Sequence, residues 1–168
     1  MGYDFNADEI FGIAEQIERN GAAFYSEAAE RTSNASIRQF LLDLASMEEG
    51  HLKVFASMRA ALSAQEREQT TFDPEGETSR YLQALASLSV FDDKTRRTPL
   101  AREGSSDAEG MRSVLGRAIG LEKDSIVFYL GLKDLISKPL GKDRVEEIIK
   151  EEMKHIRLLG SKLSSLEK

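Results

Sequence analysis

Apolar side chains recur along most of this chain at alternating spacings of four and three residues, the period of a helix that buries one face. Ala7, Phe11, Ala14, Glu18, Gly21, Tyr25 and Ala28 hold one such phase. Asn6 followed by Glu9 supplies a capping box ahead of them, which predicts a first helix over about 7–31. Thr32-Ser33-Asn34 interrupts it. Ile37, Leu41, Leu44, Glu48, His51, Phe55, Met58 and Leu62 then resume the rule in a second helix over about 35–64.

From Gln65 to Thr78 the periodicity lapses in a polar run containing Pro74 and Gly76, which reads as a connection leaving the helical pair. Tyr81, Leu82, Leu85 and Leu88 suggest a short helix in the crossover, and a charged stretch from Asp92 to Ser106 carries Pro99 and Gly104. Ser106-Asp107 is a good helix start, and Met111, Leu115, Ala118, Glu122, Ser125, Tyr129, Leu132 and Ile136 follow as a third helix over about 107–137. Val145, Ile148, Glu152, His155, Leu159 and Leu163 form a fourth over about 143–165. Two tight antiparallel helix pairs joined by one long crossover, about 65–106, make an all-α four-helix bundle. A length of 168 residues at 40% hydrophobic suits one domain with one substantial core.

Each stripe has Glu or His where an apolar residue belongs, and the exceptions repeat. Glu18 is followed by Phe24-Tyr25, and Glu122 by Phe128-Tyr129; Glu48-Glu49-Gly50-His51 is matched by Glu152-Met153-Lys154-His155. Glu18 and Glu122 are 104 residues apart, as are Glu48 and Glu152. The two helix pairs are therefore an internal duplication. An E-x-x-H spacing puts a carboxylate and an imidazole on one helical face, where they can share a metal, and a lone Glu on the neighbouring helix adds a carboxylate from across the bundle. Four carboxylates and two imidazoles from four helices are the donor set of di-iron and di-manganese carboxylate bundles of the ferritin-like type. Glu18, Glu48, His51, Glu122, Glu152 and His155 are accordingly the candidate metal ligands. Clustered carboxylates carry about −4, which two divalent cations would cancel.

Tyr25 and Tyr129 lie two turns beyond Glu18 and Glu122 on the same face, within reach of a carboxylate from the other half. Gly21 and Ser125, one turn beyond the same glutamates, are small either to leave room for dioxygen or peroxide or because helices approach closely there. Glu49 and Glu151 stand one residue from the motif glutamates, and a step of about 100° turns each toward a flank or solvent. There are no cysteines, which removes disulfides, iron–sulfur clusters and thiolate metal sites. A net charge of −6 without a basic stretch argues against nucleic acid. The amino terminus lacks a secretion or myristoylation pattern, and no apolar run nears membrane-spanning length. A cytoplasmic location without a membrane partner is expected.

On these ligands and tyrosines the chain resembles the rubrerythrin branch of the ferritin-like superfamily, in its small members without a rubredoxin domain. The resemblance covers the four bundle helices, with Tyr81 to Leu85 and Val90-Phe91 similar to the crossover helix. It implies two iron ions, with manganese as the other metal that accepts this set, bridged by Glu48 and Glu152 and held terminally by Glu18 and Glu122. It implies reduction of dioxygen or hydrogen peroxide, electrons from an external redox protein, and a homodimer. Rubrerythrins carry a further glutamate one turn after the ligand of the third bundle helix, and this chain has Ser125 there. The same donor set would also serve iron oxidation and storage, or a bundle in which metal only cross-links helices.

Overall fold

The computed structural model describes residues 6–68 and 107–166, with Glu77 and Arg80 besides. The expected crossover helix at Tyr81 to Leu88 lies outside the described residues. The elements are α1 (Ala7–Glu30), α2 (Ala35–Ala60), α3 (Ala64–Glu68), α4 (Asp107–Leu135), a single 3₁₀ turn at Lys138–Leu140 and α5 (Lys142–Ser165). Among the described residues there is no strand. No helix there is long and apolar enough to cross a membrane.

Local chemistry sets the helix ends. The Asn6 side chain accepts from the Glu9 backbone at 2.9 Å, and Glu9 returns the bond to the Asn6 backbone at 3.1 Å, so two otherwise orphaned amides at the start of α1 are satisfied. Asn34 caps α2 by accepting from the Ile37 backbone at 3.1 Å. Only four residues separate α1 from α2, so the two pack as an antiparallel hairpin.

The second helix stops at Ala60 instead of reaching position 64. Ser63 and Glu66 explain the break. The Glu66 carboxylate accepts from the Ser63 backbone at 2.8 Å and the Ser63 hydroxyl accepts from the Glu66 backbone at 3.3 Å. That second capping box starts α3 afresh. Arg67 then donates to the Arg59 carbonyl at 2.7 Å and pairs with Asp8, which ties α3 back to the hairpin.

Pro139 sits in the 3₁₀ turn between α4 and α5, and Gly141 closes it at φ 101°, a conformation that costs any residue with a Cβ. Space is short as well, because a Cβ on Gly141 would come within 2.6 Å of Met58 Cε. The α4–α5 turn is thus seated on α2.

The buried apolar residues form two clusters. One contains Ile10, Phe11, Ile17, Phe55, Phe128, Leu132 and Ile148; the other contains Phe24, Leu41, Leu44, Met111, Leu115, Ala118 and Leu159. Every long helix contributes to both, and changes from one to the other where its Glu or E-x-x-H stands. A layer of buried polar side chains therefore crosses the middle of the bundle, with oily packing on both sides.

Candidate metal centre

Glu18 comes from α1, Glu48 and His51 from α2, Glu122 from α4, and Glu152 and His155 from α5. All six are between 0% and 4% exposed. Burying unpaired charge costs several kcal/mol per ion, roughly, so these groups need partners.

They gather into two sets. Glu18, Glu48, His51 and Glu152 each bring a ligand atom within 4.8 Å of the others, and so do Glu48, Glu122, Glu152 and His155. Glu48 and Glu152 belong to both sets. Each divides its two oxygens between them: Glu152 places Oε1 3.0 Å from His51 Nδ1 and Oε2 3.0 Å from His155 Nδ1. Glu48 places Oε2 3.7 Å from His51 Nδ1 and Oε1 3.2 Å from His155 Nδ1. Glu18 Oε2 lies 3.5 Å from His51 Nδ1, and Glu122 Oε1 lies 3.5 Å from His155 Nδ1. The two imidazoles stack with centroids 5.6 Å apart and planes 20° apart.

These atoms converge without pairing. Glu48 Oε1, both Glu152 oxygens, Nδ1 of both histidines and His155 Nε2 are buried and have no hydrogen-bond partner among the described residues. Buried polar atoms are normally satisfied, and acceptors aimed at a common centre are what a cation requires. Oxygen with some nitrogen and no sulfur suits iron or manganese.

Among solved structures, the chain is similar to a Thermotoga maritima protein described as a "putative ferritin-like diiron-carboxylate protein". That 2.30 Å crystal structure aligns over 96% of both chains with a TM-score of 0.65 and 26% identity. The fold is ferritin-like. No protein-family model matches the chain, and no curated protein compared with it does either. A buried Glu/His cluster at the centre of a ferritin-like bundle is compatible with a di-iron site.

Two tyrosines brace this ferritin-like centre across its halves. The Tyr25 hydroxyl donates to Glu122 Oε1 and the Tyr129 hydroxyl donates to Glu18 Oε1, so each aims a carboxylate that belongs to the other helix pair. Burial, with the Glu122 charge beside Tyr25 and the Glu18 charge beside Tyr129, holds both phenols well above their ordinary pKa. They stay protonated and remain donors.

The protein's own groups partition protons unevenly. Burial, opposed by His51 and reinforced by Glu48, lifts Glu18 well above the usual carboxylate range; burial lifts Glu122 likewise. Burial also presses on Glu48 and Glu152, but the imidazoles that face them outweigh it and hold both below that range. For the histidines burial favours the neutral ring, yet the surrounding carboxylates raise His51 strongly and push His155 up to about 12. Both imidazoles thus favour their protonated forms, and a cation binding among these groups would displace those protons.

The packing adds detail at two positions. The space at Gly21 is occupied by the Glu48 side chain: a Cβ there would lie 3.3 Å from Glu48 Cγ. Small size at this position lets a carboxylate pass, and the Ser125 hydroxyl turns back to the Leu121 carbonyl at 3.1 Å. Glu151, read as a flank residue, is indeed 58% exposed at its side chain, but its Oε2 lies 2.7 Å from His51 Nε2. Helical phase alone gave no sign of it, because the contact joins α5 to α2. Glu49, its counterpart in that reading, is exposed.

Proposed function

We propose that the chain is a rubrerythrin-related, non-haem di-iron carboxylate protein that reduces dioxygen or hydrogen peroxide with electrons from a separate redox protein. The observation that carries this reading is the pair of interlocking donor sets that share Glu48 and Glu152. The similar ferritin-like diiron-carboxylate protein supports iron over manganese. Glu18 and His51 would hold one ion, Glu122 and His155 the other, and Glu48 and Glu152 both.

When bound, iron supplies the redox chemistry that reduction of an O–O bond needs. The chain's residues supply the rest. Burial of all six side chains keeps bulk water from the donors, which strengthens every electrostatic interaction inside. Tyr25 and Tyr129 hold Glu122 and Glu18 in place from the opposite half, so that little reorganisation is left for the reaction itself. With no cysteine in these 168 residues, a rubredoxin-type donor lies outside them. A homodimer belongs to the same proposal, and sedimentation equilibrium tests it.

Anaerobic loading with ferrous iron, followed by metal analysis and optical spectra after separate additions of dioxygen and peroxide, tests the reading. Two ions per chain and an oxo-bridged ferric absorption are expected, with the faster reaction toward peroxide. Uptake without oxidation would overturn the redox role. Oxidation that ends in a mineral core would assign the site to iron storage.

A further inference from the structure

The two halves treat their central donors alike but the backs of their imidazoles differently. His51 Nε2 meets Glu151 Oε2 at 2.7 Å. His155 Nε2 is buried and has no hydrogen-bond partner among the described residues. The duplication accounts for the difference. Glu151 precedes Glu152 and reaches the histidine of the other pair; the residue that precedes Glu48 is Met47, whose thioether is at best a weak acceptor. Met47 packs against the apolar cluster instead.

Both histidines turn Nδ1 toward the shared carboxylates. A ring that offers Nδ1 to a metal carries its proton on Nε2, and a carboxylate accepting that proton fixes the tautomer, holds the ring and raises its basicity. Only His51 has one. A cavity of about 430 Å³ lined by Met47, His51, Arg144, Glu147, Ile148 and Glu151 opens beside this contact.

We infer that Glu151 is a positioning residue for His51 and makes the two metal positions unequal, the one beside His51 binding divalent metal more tightly. This rests on the metal-binding reading above. Glu151 acts on the metal only through the imidazole, so its effect belongs in affinity at one position.

Titration of the metal-free protein with Co(II), followed by visible absorption, tests this. Wild type should take up two ions in two resolved steps. Glu151→Ala should weaken the tighter step about 10–100-fold and leave the weaker one unchanged, while Glu151→Gln, which still accepts from Nε2, recovers most of the loss. Thermal melts of metal-free Glu151→Gln should stay close to wild type, because its amide oxygen still accepts from Nε2 and no buried donor is orphaned. Two ions bound by Glu151→Ala with wild-type affinities would overturn the inference and leave the metal site standing. A Gln variant no better than Ala would overturn positioning through the hydrogen bond. No Co(II) uptake by wild type would sink both readings together.

Discussion

Replacing Tyr129 by Phe removes one hydroxyl and little else. The residue is 0% exposed, and its ring lies 5.1 Å from that of Phe55 and 5.7 Å, edge to face, from that of Phe128, contacts that phenylalanine keeps. What goes is the donor to Glu18 Oε1, which also links the first helix pair to the second. A neutral hydrogen bond contributes about 1 kcal/mol net and one to a charged acceptor about 1.5–3 kcal/mol. Burial favours the protonated form of Glu18, so about 1–2 kcal/mol applies to the metal-free protein. For a chain of this size each kcal/mol moves Tm by about 2–4 °C, giving a fall of roughly 2–8 °C. Circular-dichroism melts of metal-free Tyr129→Phe, Glu18→Gln and the double variant form a cycle that isolates the contact. With metal the same loss should appear as weaker binding, about 10–100-fold, confined to the position that Glu18 serves. A melting point within 1 °C of wild type, roughly, together with coupling below about 0.3 kcal/mol, would refute the cross-bundle brace.

Other outcomes follow from the same geometry. Gly21→Ala should leave metal-free stability within about 1 kcal/mol of wild type, since helix propensity favours Ala while the new Cβ presses on Glu48 at 3.3 Å; metal affinity should drop several-fold, roughly, and an unchanged titration would count against the crowding. Gly141→Ala should destabilise by about 1–3 kcal/mol, read as a lower urea midpoint, from a φ of 101° and a Cβ 2.6 Å from Met58 Cε. pH dependence has a definite sign. His155, raised to about 12, and His51, raised as well, stabilise the metal-free fold fully below their ordinary pKa of 6.5 and progressively less as pH rises through the folded values. Glu18 and Glu122, raised from 4.5, act in the same direction, whereas Glu48 and Glu152, held low, contribute above 4.5 and lose that contribution toward acid. Metal-free melts should therefore fall between pH 7 and 10, roughly, and calorimetry in buffers of different ionisation enthalpy should detect protons released on metal binding; binding without proton release would contradict the protonated imidazoles. Glu48→Ala combined with Glu152→Ala removes both shared carboxylates, and should abolish uptake of two ions.

Much of the architecture was legible before any coordinates, because helical periodicity is local. Spacings of three and four put Glu18, Glu48, His51, Glu122, Glu152 and His155 on buried stripes, and the repeated interval of 104 residues set the two pairs in register. The six side chains do meet at one level of the bundle, between two apolar clusters. The break after Ala60 was also written locally, in Ser63 and Glu66, but it was hidden by Leu62, which continues the apolar stripe.

Which atom meets which depends on how the helices pack against one another. Helical phase says that Glu48 and Glu152 point inward; it does not say that each splits its oxygens between both histidines, since that depends on the rotation and separation of α2 and α5. It turns Glu151 away from the core by one step, yet a long side chain on one helix can reach an imidazole on the next. Nor does it reveal that Gly21 is small because Glu48 passes there. Periodicity along one helix determines a face, and the packing of four helices determines the contacts made by that face.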